Sequence, residues 1–213
     1  SDGKRLLAVG MARAYALQDL ESRMVSLKKR VDAGDSEAQL ERMRLHLRGN
    51  NFDAALKDLE GAHALKLEAE GAVDANTALY EGIRELGLVA RDPRLTLRML
   101  AGAQVHLDRA VEQSNVTAEA IKRVHSTRDG LIFSALNEVR KNEIADATEA
   151  VLTIAAIVEK PNLVNAARQA LLATVSEKDA DKIEQGMSSE NANLQLVAVA
   201  AAEAALGERA NEA

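Results

Sequence analysis

The sequence contains no cysteine and no tryptophan, and only two of its 213 residues are prolines. Without cysteine the chain has no disulfide, no thiolate nucleophile, no iron–sulfur cluster and no cysteine-ligated zinc site. Aromatic residues make up 2% of the chain, and clusters of the β-branched residues that favour strands are few. Because prolines are so scarce, little interrupts helices. These absences favour an all-α protein.

Apolar residues make up 47% of the chain, which is enough to bury a core and excludes wholesale disorder. The longest uncharged apolar run covers residues 150–158 and is far shorter than the ~18 residues of a membrane span. Near the N-terminus an apolar patch follows Lys4 and Arg5, but Arg13 interrupts it, which is poor for a signal peptide. Together with the absence of cysteine, these features predict a cytoplasmic protein with no membrane span.

The stretch 144–172 is apolar around nearly its whole helical circumference, which predicts a buried central helix. Pro161 is expected to end this helix and to start the next one. We therefore predict long antiparallel helices, resembling a bundle or a coiled coil, over residues 1–142. A compact, alanine-rich subdomain of short helices follows over residues 143–213 and packs with them as one unit. An α-solenoid-like arrangement is the alternative.

Turn and capping residues predict where the helices begin. Between residues 93 and 142 the breaks are weak, so this segment is either one very long helix or two helices joined near Asn115. Four sites carry residues that commonly cap helix N-termini, either as a capping box, as an Asp-Pro pair or as a serine pair. These sites are Ser36 with Gln39, Asp92 with Pro93, Ser176 with Asp179, and Ser188 with Ser189.

A row of apolar side chains in the first predicted helix has the three- and four-residue spacing of a coiled-coil seam. We predict this row as the surface for interaction with a protein partner, including a second copy of the chain. The alternative is an amphipathic helix that packs within its own domain. The residues are Leu17, Leu20, Met24, Leu27 and Val31.

Charge is distributed unevenly along the chain. Residues 1–48 contain ten basic and seven acidic residues, a net charge of +3, whereas residues 142–213 carry a net charge of −7. The uneven charge reflects either ordinary solvated helix faces or a head-to-tail contact between copies. With a net charge of −6 for the whole chain and no basic–aromatic pattern, nucleic acid is not an expected partner.

The sequence contains no nucleophile motif such as Gly-x-Ser-x-Gly. It also contains no Walker-type or dinucleotide-binding glycine motif. We therefore predict no catalytic residue, no cofactor and no metal ligand. The sequence contains a single Glu-x-x-His pair, Glu60 and His63, whereas di-iron bundles need two such pairs and two further glutamates. A further candidate is a basic stripe for an anion, formed by Arg123, His125, Arg128 and Arg140.

Four segments resemble the helices of known repeat families. Residues 50–62, NNFDAALKDLEGA, resemble the second helix of a tetratricopeptide repeat, and residues 92–103 echo them at an offset of 41. Residues 160–172 and 189–206 resemble HEAT-type helices, with a polar start and an alanine–leucine face. The offsets between these segments are not constant, whereas a regular solenoid has a fixed period. The resemblance implies a peptide-binding repeat module.

The sequence thus supports three functional hypotheses. The first is a non-catalytic helical scaffold or adaptor that acts through protein–protein interaction, including self-association into an oligomer. The second is a helical-repeat module of the tetratricopeptide or HEAT kind that binds peptides. The third is a helical bundle that binds a metal or a small ligand around Glu60 and His63.

Overall fold

The computed structural model describes residues 19–69, 71–112 and 117–206 of the chain. Within these residues all regular structure is helical, which confirms the all-α prediction. None of the described helices is both long enough and apolar enough to cross a bilayer. The helices are α1 (19–32), α2 (Ser36–Arg48), α3 (Phe52–Ala69), α4 (Ala72–Ala90), α5 (Pro93–Glu112), α6 (Ala118–Lys141), α7 (Thr148–Ala155), α8 (Pro161–Thr174), a 3₁₀ turn (Glu177–Asp179), α9 (Ala180–Met187) and α10 (Ala192–Leu206).

Contacts between residues divide the chain into two compact units, Ser1–Ala75 and Asn76–Ala213. The division therefore falls inside α4. The boundary at 142/143 that the composition predicts lies within the second unit, between α6 and α7. The boundary at 142/143 coincides with a change in helix length: α6 has 24 residues, whereas α7 has only eight.

The first unit is organised around the pair formed by α2 and α3. Arg42 of α2 donates two hydrogen bonds to the buried carboxylate of Asp58 in α3, one of them 2.9 Å long. Glu37, at the start of α2, pairs with Lys66, near the end of α3, at 2.6 Å. These ion pairs fix how the two helices align.

The second unit contains three consecutive helix pairs, because α5 packs against α6, α7 against α8, and α9 against α10. The first helices of the pairs also contact each other in order, α5 with α7 and α7 with α9. The second helices do the same, α6 with α8 and α8 with α10. Helix α7 sits between neighbours, and six of its eight residues are buried. The apolar stretch around it is therefore a core element, as predicted, although its helix is short.

The predicted helix starts agree with the structure at some sites and are wrong by a few residues at others. Pro93 and Pro161 each open a helix, and the capping box of Ser176 and Asp179 is present. The segment 93–142 forms two helices, α5 and α6, which is one of the two arrangements predicted from the sequence. Thr117 caps the second of them, and its hydroxyl accepts from the Ala120 amide.

Two predicted caps are corrected. Asp35, not Ser36, caps α2, because its carboxylate accepts from the Ala38 amide at 2.9 Å. Asn191, not the serine pair Ser188–Ser189, caps α10, because its side-chain oxygen accepts from the Leu194 amide at 2.9 Å. In both places neighbouring residues have similar capping ability, so the backbone conformation decides which one is used.

Candidate functional site

The apolar row predicted as an interaction surface lies in α1, apart from Leu17, which is outside the described residues. Leu27 is buried in a cluster with Ala38 and Leu45 of α2. Leu20, Met24 and Val31 are partly buried and pack against the same cluster. These side chains therefore contribute to the packing of their own unit. Their role in binding a partner stays a prediction.

Glu60 and His63 differ in their exposure, and a ligand site around them stays a prediction. The His63 side chain is only 4% exposed, whereas Glu60 is exposed to solvent. Among the described residues no group of three or more histidine, aspartate or glutamate side chains converges as metal ligands would. The spacing Glu-x-x-His places two groups on one helix face, but burial separates them here. Helical spacing alone cannot predict that difference.

The basic stripe predicted as an anion site is broken by an internal ion pair. Arg128 is 7% exposed and donates to the carboxylate of its neighbour Asp129 at 2.8 Å and 3.0 Å. It also donates to the side-chain oxygen of Gln104 in α5. The Lys160 ammonium, just before α8, lies 2.7 Å from the second oxygen of Asp129. This cluster connects three helices and leaves Arg128 unavailable to an external anion.

The carboxylate of Asp129 stays charged in this cluster. Burial alone raises the pKa of Asp129, but hydrogen bonds from Lys160 and Arg128 outweigh burial and hold that pKa below its usual value. The carboxylate accepts two hydrogen bonds from Arg128 on one oxygen, and its other oxygen lies 2.7 Å from the Lys160 ammonium, so this buried charge is compensated as a structural ion pair requires. The cluster is therefore a packing element of the second unit.

The feature that best fits a binding site is a groove of about 780 Å³ between α7 and α9, called here the α7–α9 groove. Clefts of roughly 300–1,000 Å³ commonly hold ligands of drug size. Two other clefts in the second unit are smaller, at about 290 Å³ and 310 Å³. The floor of the α7–α9 groove is apolar, and its sides are polar. The lining side chains are Glu149, Leu152, Thr153, Ala156, Lys182, Gln185, Gly186, Ser188, Ser189 and Leu194.

Gly186 brings α9 close to α10 at the floor of the groove. A Cβ atom on Gly186 would lie 2.8 Å from the Cβ of Ala198 in α10, which is closer than carbon atoms pack. It would also lie 3.7 Å from Leu152 of α7 and 3.7 Å from Leu194. The missing side chain thus lets α9 rest on α10, and the space beside α7 stays open.

Two asparagines attach the start of α10 to the end of α7 and to the segment that follows α7. Asn191 donates to the carbonyl of Ala156 at 2.8 Å, and Asn193 donates to the carbonyl of Val158 at 2.9 Å. The carbonyls at a helix C-terminus have no partner inside the helix, so these bonds satisfy them. They also place the C-terminal ends of α7 and α9 at the same end of the groove. The groove is therefore built on rigid helices.

The opposite end of the groove carries charge. Glu149 lies in the first turn of α7 and is exposed. Lys182, on α9, lies 3.8 Å from the carboxylate of Asp179. Glu149 and Lys182 both line the groove, so its lining carries one charge of each sign.

Of the groove residues, the sequence pointed only to Ser188 and Ser189, and it pointed to them as helix caps and not as part of a binding site. Thr153 and Gln185 are ordinary polar residues on exposed helix faces, and Gly186 is an isolated glycine inside a helical pattern. The groove depends on contacts of α7 with α9 and α10, although α9 begins 32 residues after the start of α7. A glycine inside a helical pattern is the one local signal of close helix packing.

No protein-family model, no curated protein and no solved structure matches the chain. The fold class and the candidate site are therefore inferred from the sequence and structure of this chain alone.

Proposed function

We propose that this chain is a non-catalytic helical-repeat scaffold or adaptor that binds a segment of another protein in the α7–α9 groove. The observation that supports this most strongly is the order of contacts in the second unit. Each helix packs against its pair partner and against the next helix of its own layer. Helical-repeat proteins are built in this way, with each repeat packing on its neighbours, and they bind partners on extended surfaces.

The resemblance of residues 160–172 and 189–206 to HEAT-type helices supports the same proposal. These segments cover most of α8 and all of α10, which are the second helices of consecutive pairs. The two pairs begin at Thr148 and Ala180, and their second helices begin at Pro161 and Ala192. The spacing is thus nearly equal for the last two pairs. The longer α5 and α6 make the first pair an irregular repeat.

The chemistry of the groove suits a protein segment better than a reaction. Leu152, Leu194 and Gly186 offer an apolar surface to one aliphatic side chain. The side chains of Gln185 and Ser188 can form hydrogen bonds with the backbone of a bound segment. An amphipathic segment in a groove between helices is a common mode of peptide recognition.

Selection from a random peptide library, with the whole chain as the target, tests this proposal. We expect enriched peptides to share an aliphatic position, and their binding to be lost in the variant Thr153→Arg. Thr153 is exposed in the groove, and its hydroxyl donates to the Glu149 carbonyl at 2.8 Å. Arginine at this position fills the groove and leaves the core unchanged.

A matched control exists on α6. Thr127 is also exposed, and its hydroxyl donates to the carbonyl four residues earlier, of Arg123, at 3.2 Å. Thr127→Arg should leave peptide binding unchanged, because this residue does not line the groove. Peptides that bind Thr153→Arg as tightly as the wild type would show that the groove is not the binding site.

A further inference from the structure

A smaller cleft of the second unit lies between α4 and α6 and is called here the α4–α6 cleft. Gly87 of α4 lies directly against α5, because a Cβ atom at this glycine would collide with the hydroxyl of the buried residue Thr96. Residues from the second halves of α4 and α6 line the rest of the cleft. Its volume is about 290 Å³, which leaves room for a small molecule and not for another helix.

The lining of the α4–α6 cleft carries more positive than negative charge. Arg84 and Arg91 both line it, and Glu138 is the one acidic side chain among the described residues that do so. Neither arginine forms an ion pair with a carboxylate of the described residues. The carboxylate of Asp92 is next to Arg91 in the sequence, but both of its oxygens accept from Arg94 at 3.0 Å. The guanidinium groups of the cleft are therefore available to an anion.

The backbone beside the cleft adopts an uncommon conformation at two positions. Arg91 has a φ of +52°, and Glu143, which lies between the lining residues Asn142 and Ile144, has a φ of +46°. The other described residues with a positive φ are glycine, asparagine or aspartate, which adopt this conformation more readily. Glycine is also the usual residue in a left-handed position directly after a helix, which Arg91 occupies here. Unfavourable backbone conformations of this kind cluster at ligand sites, so the arginine side chain is the reason to keep this residue.

We propose that the α4–α6 cleft binds a small molecule through a phosphate group, which Arg84 and Arg91 hold. Arginine binds phosphate with paired, charge-assisted hydrogen bonds. The lining residues Ser134 and Asn142 add neutral donors, which suits the three acceptor oxygens of a phosphate group. This site goes beyond the protein binding proposed for the α7–α9 groove, and the two sites share no lining residue.

Titration of the full chain with pyrophosphate, followed by NMR of the backbone amides at constant ionic strength, tests this proposal. We expect the amide resonances around the cleft to shift and to saturate. The net charge of −6 disfavours a general attraction of anions to the chain, so saturation reports a local site. Arg84→Gln and Arg91→Gln should each weaken binding about tenfold, which corresponds to about 1.4 kcal/mol. Glu138→Gln should tighten binding, because it removes the negative charge from the cleft.

Arg98→Gln is the matched control, because Arg98 is an exposed arginine of α5 that does not line the cleft. This variant should bind pyrophosphate as the wild type does. Arg91→Gly should weaken binding as Arg91→Gln does, while the melting temperature stays the same or rises, because glycine adopts a positive φ without strain. Loss of binding without loss of stability is the result that a merely structural role of Arg91 would not produce.

Amide resonances of the wild type that do not move with pyrophosphate would overturn the proposal. Equal weakening by Arg84→Gln and Arg98→Gln would also overturn it, because binding would then be unspecific. Weaker binding in Glu138→Gln would contradict an anionic ligand. Each of these outcomes leaves peptide binding in the α7–α9 groove unaffected, so the failure of this proposal and that of the proposed function are distinguishable.

Discussion

Replacing Asp129 by asparagine should destabilise the second unit substantially. This side chain is 7% exposed, and it pairs with Arg128, which is also 7% exposed. The substitution keeps the size of the side chain but removes its charge. Arg128 then remains buried with only the Gln104 side chain and a neutral amide oxygen as acceptors. A buried charge without its counter-charge is the main cost.

The magnitude follows from the surroundings of the pair. Breaking a buried ion pair by removing one partner costs about 3–5 kcal/mol. The lower end applies here, because asparagine still accepts one hydrogen bond, and the Lys160 side chain is 58% exposed and regains water. We expect a loss of about 3 kcal/mol, which at a urea dependence of about 2 kcal/mol per molar lowers the unfolding midpoint by about 1.5 M.

Urea unfolding followed by circular dichroism measures this shift. Asp181→Asn is the control, since Asp181 is exposed on α9 and should cost about 0.5 kcal/mol through the helix dipole alone. The folded-state pKa of Asp129 is lowered, so its contribution is complete above the unfolded pKa of about 3.9 and is lost as the pH falls through the lowered pKa. The difference between wild type and Asp129→Asn should therefore shrink below about pH 4. If Asp129→Asn and Asp181→Asn lowered the urea midpoint equally at pH 7, Asp129 would not be the buried partner of Arg128.

Three further substitutions test the packing by thermal or urea unfolding. Gly186→Ala places a methyl group against the Cβ of Ala198 and should cost about 1–3 kcal/mol; a wild-type midpoint would mean that α9 and α10 are not in close contact. Gly61→Ala meets only the movable end of Gln39, and alanine favours a helix by about 1 kcal/mol, so stability should be unchanged or higher, and a clear loss would contradict this. Ile154→Asp places a charge at a side chain that is 0% exposed and should abolish cooperative melting; a normal melting curve would place this segment at the surface.

The core positions were predictable because apolar side chains repeat at helical spacing. Leu79, Ile83 and Leu86 have this spacing in α4, and all three are at least 96% buried. Spacing reports which face of a helix is apolar, and burial follows wherever that face meets another helix. The exact caps were less predictable. Asp35 and Ser36 are both good caps, and only the extended backbone at Asp35 decides between them.

The charge cluster and the groove were not predictable from the sequence. Arg128 and Asp129 are consecutive, and consecutive helix residues do not normally face each other, so Arg128 was expected in an exposed basic stripe. Its remaining partners, Gln104 and Lys160, lie in other elements. The groove likewise depends on how α7, α9 and α10 meet. Contacts of this kind follow from tertiary packing, which spacing along one helix does not encode.

The central claim is that the α7–α9 groove is a protein-binding surface. Photo-crosslinking from a benzoylphenylalanine at Ser188, which is exposed at the groove, tests this most directly when the chain is mixed with peptides selected from the random library. The same photoreactive residue at Ser126, exposed on α6, is the control. We predict crosslinks from position 188 to the selected peptides, and none to these peptides from position 126. Equal crosslinking from both positions, or none from position 188, would contradict the central claim.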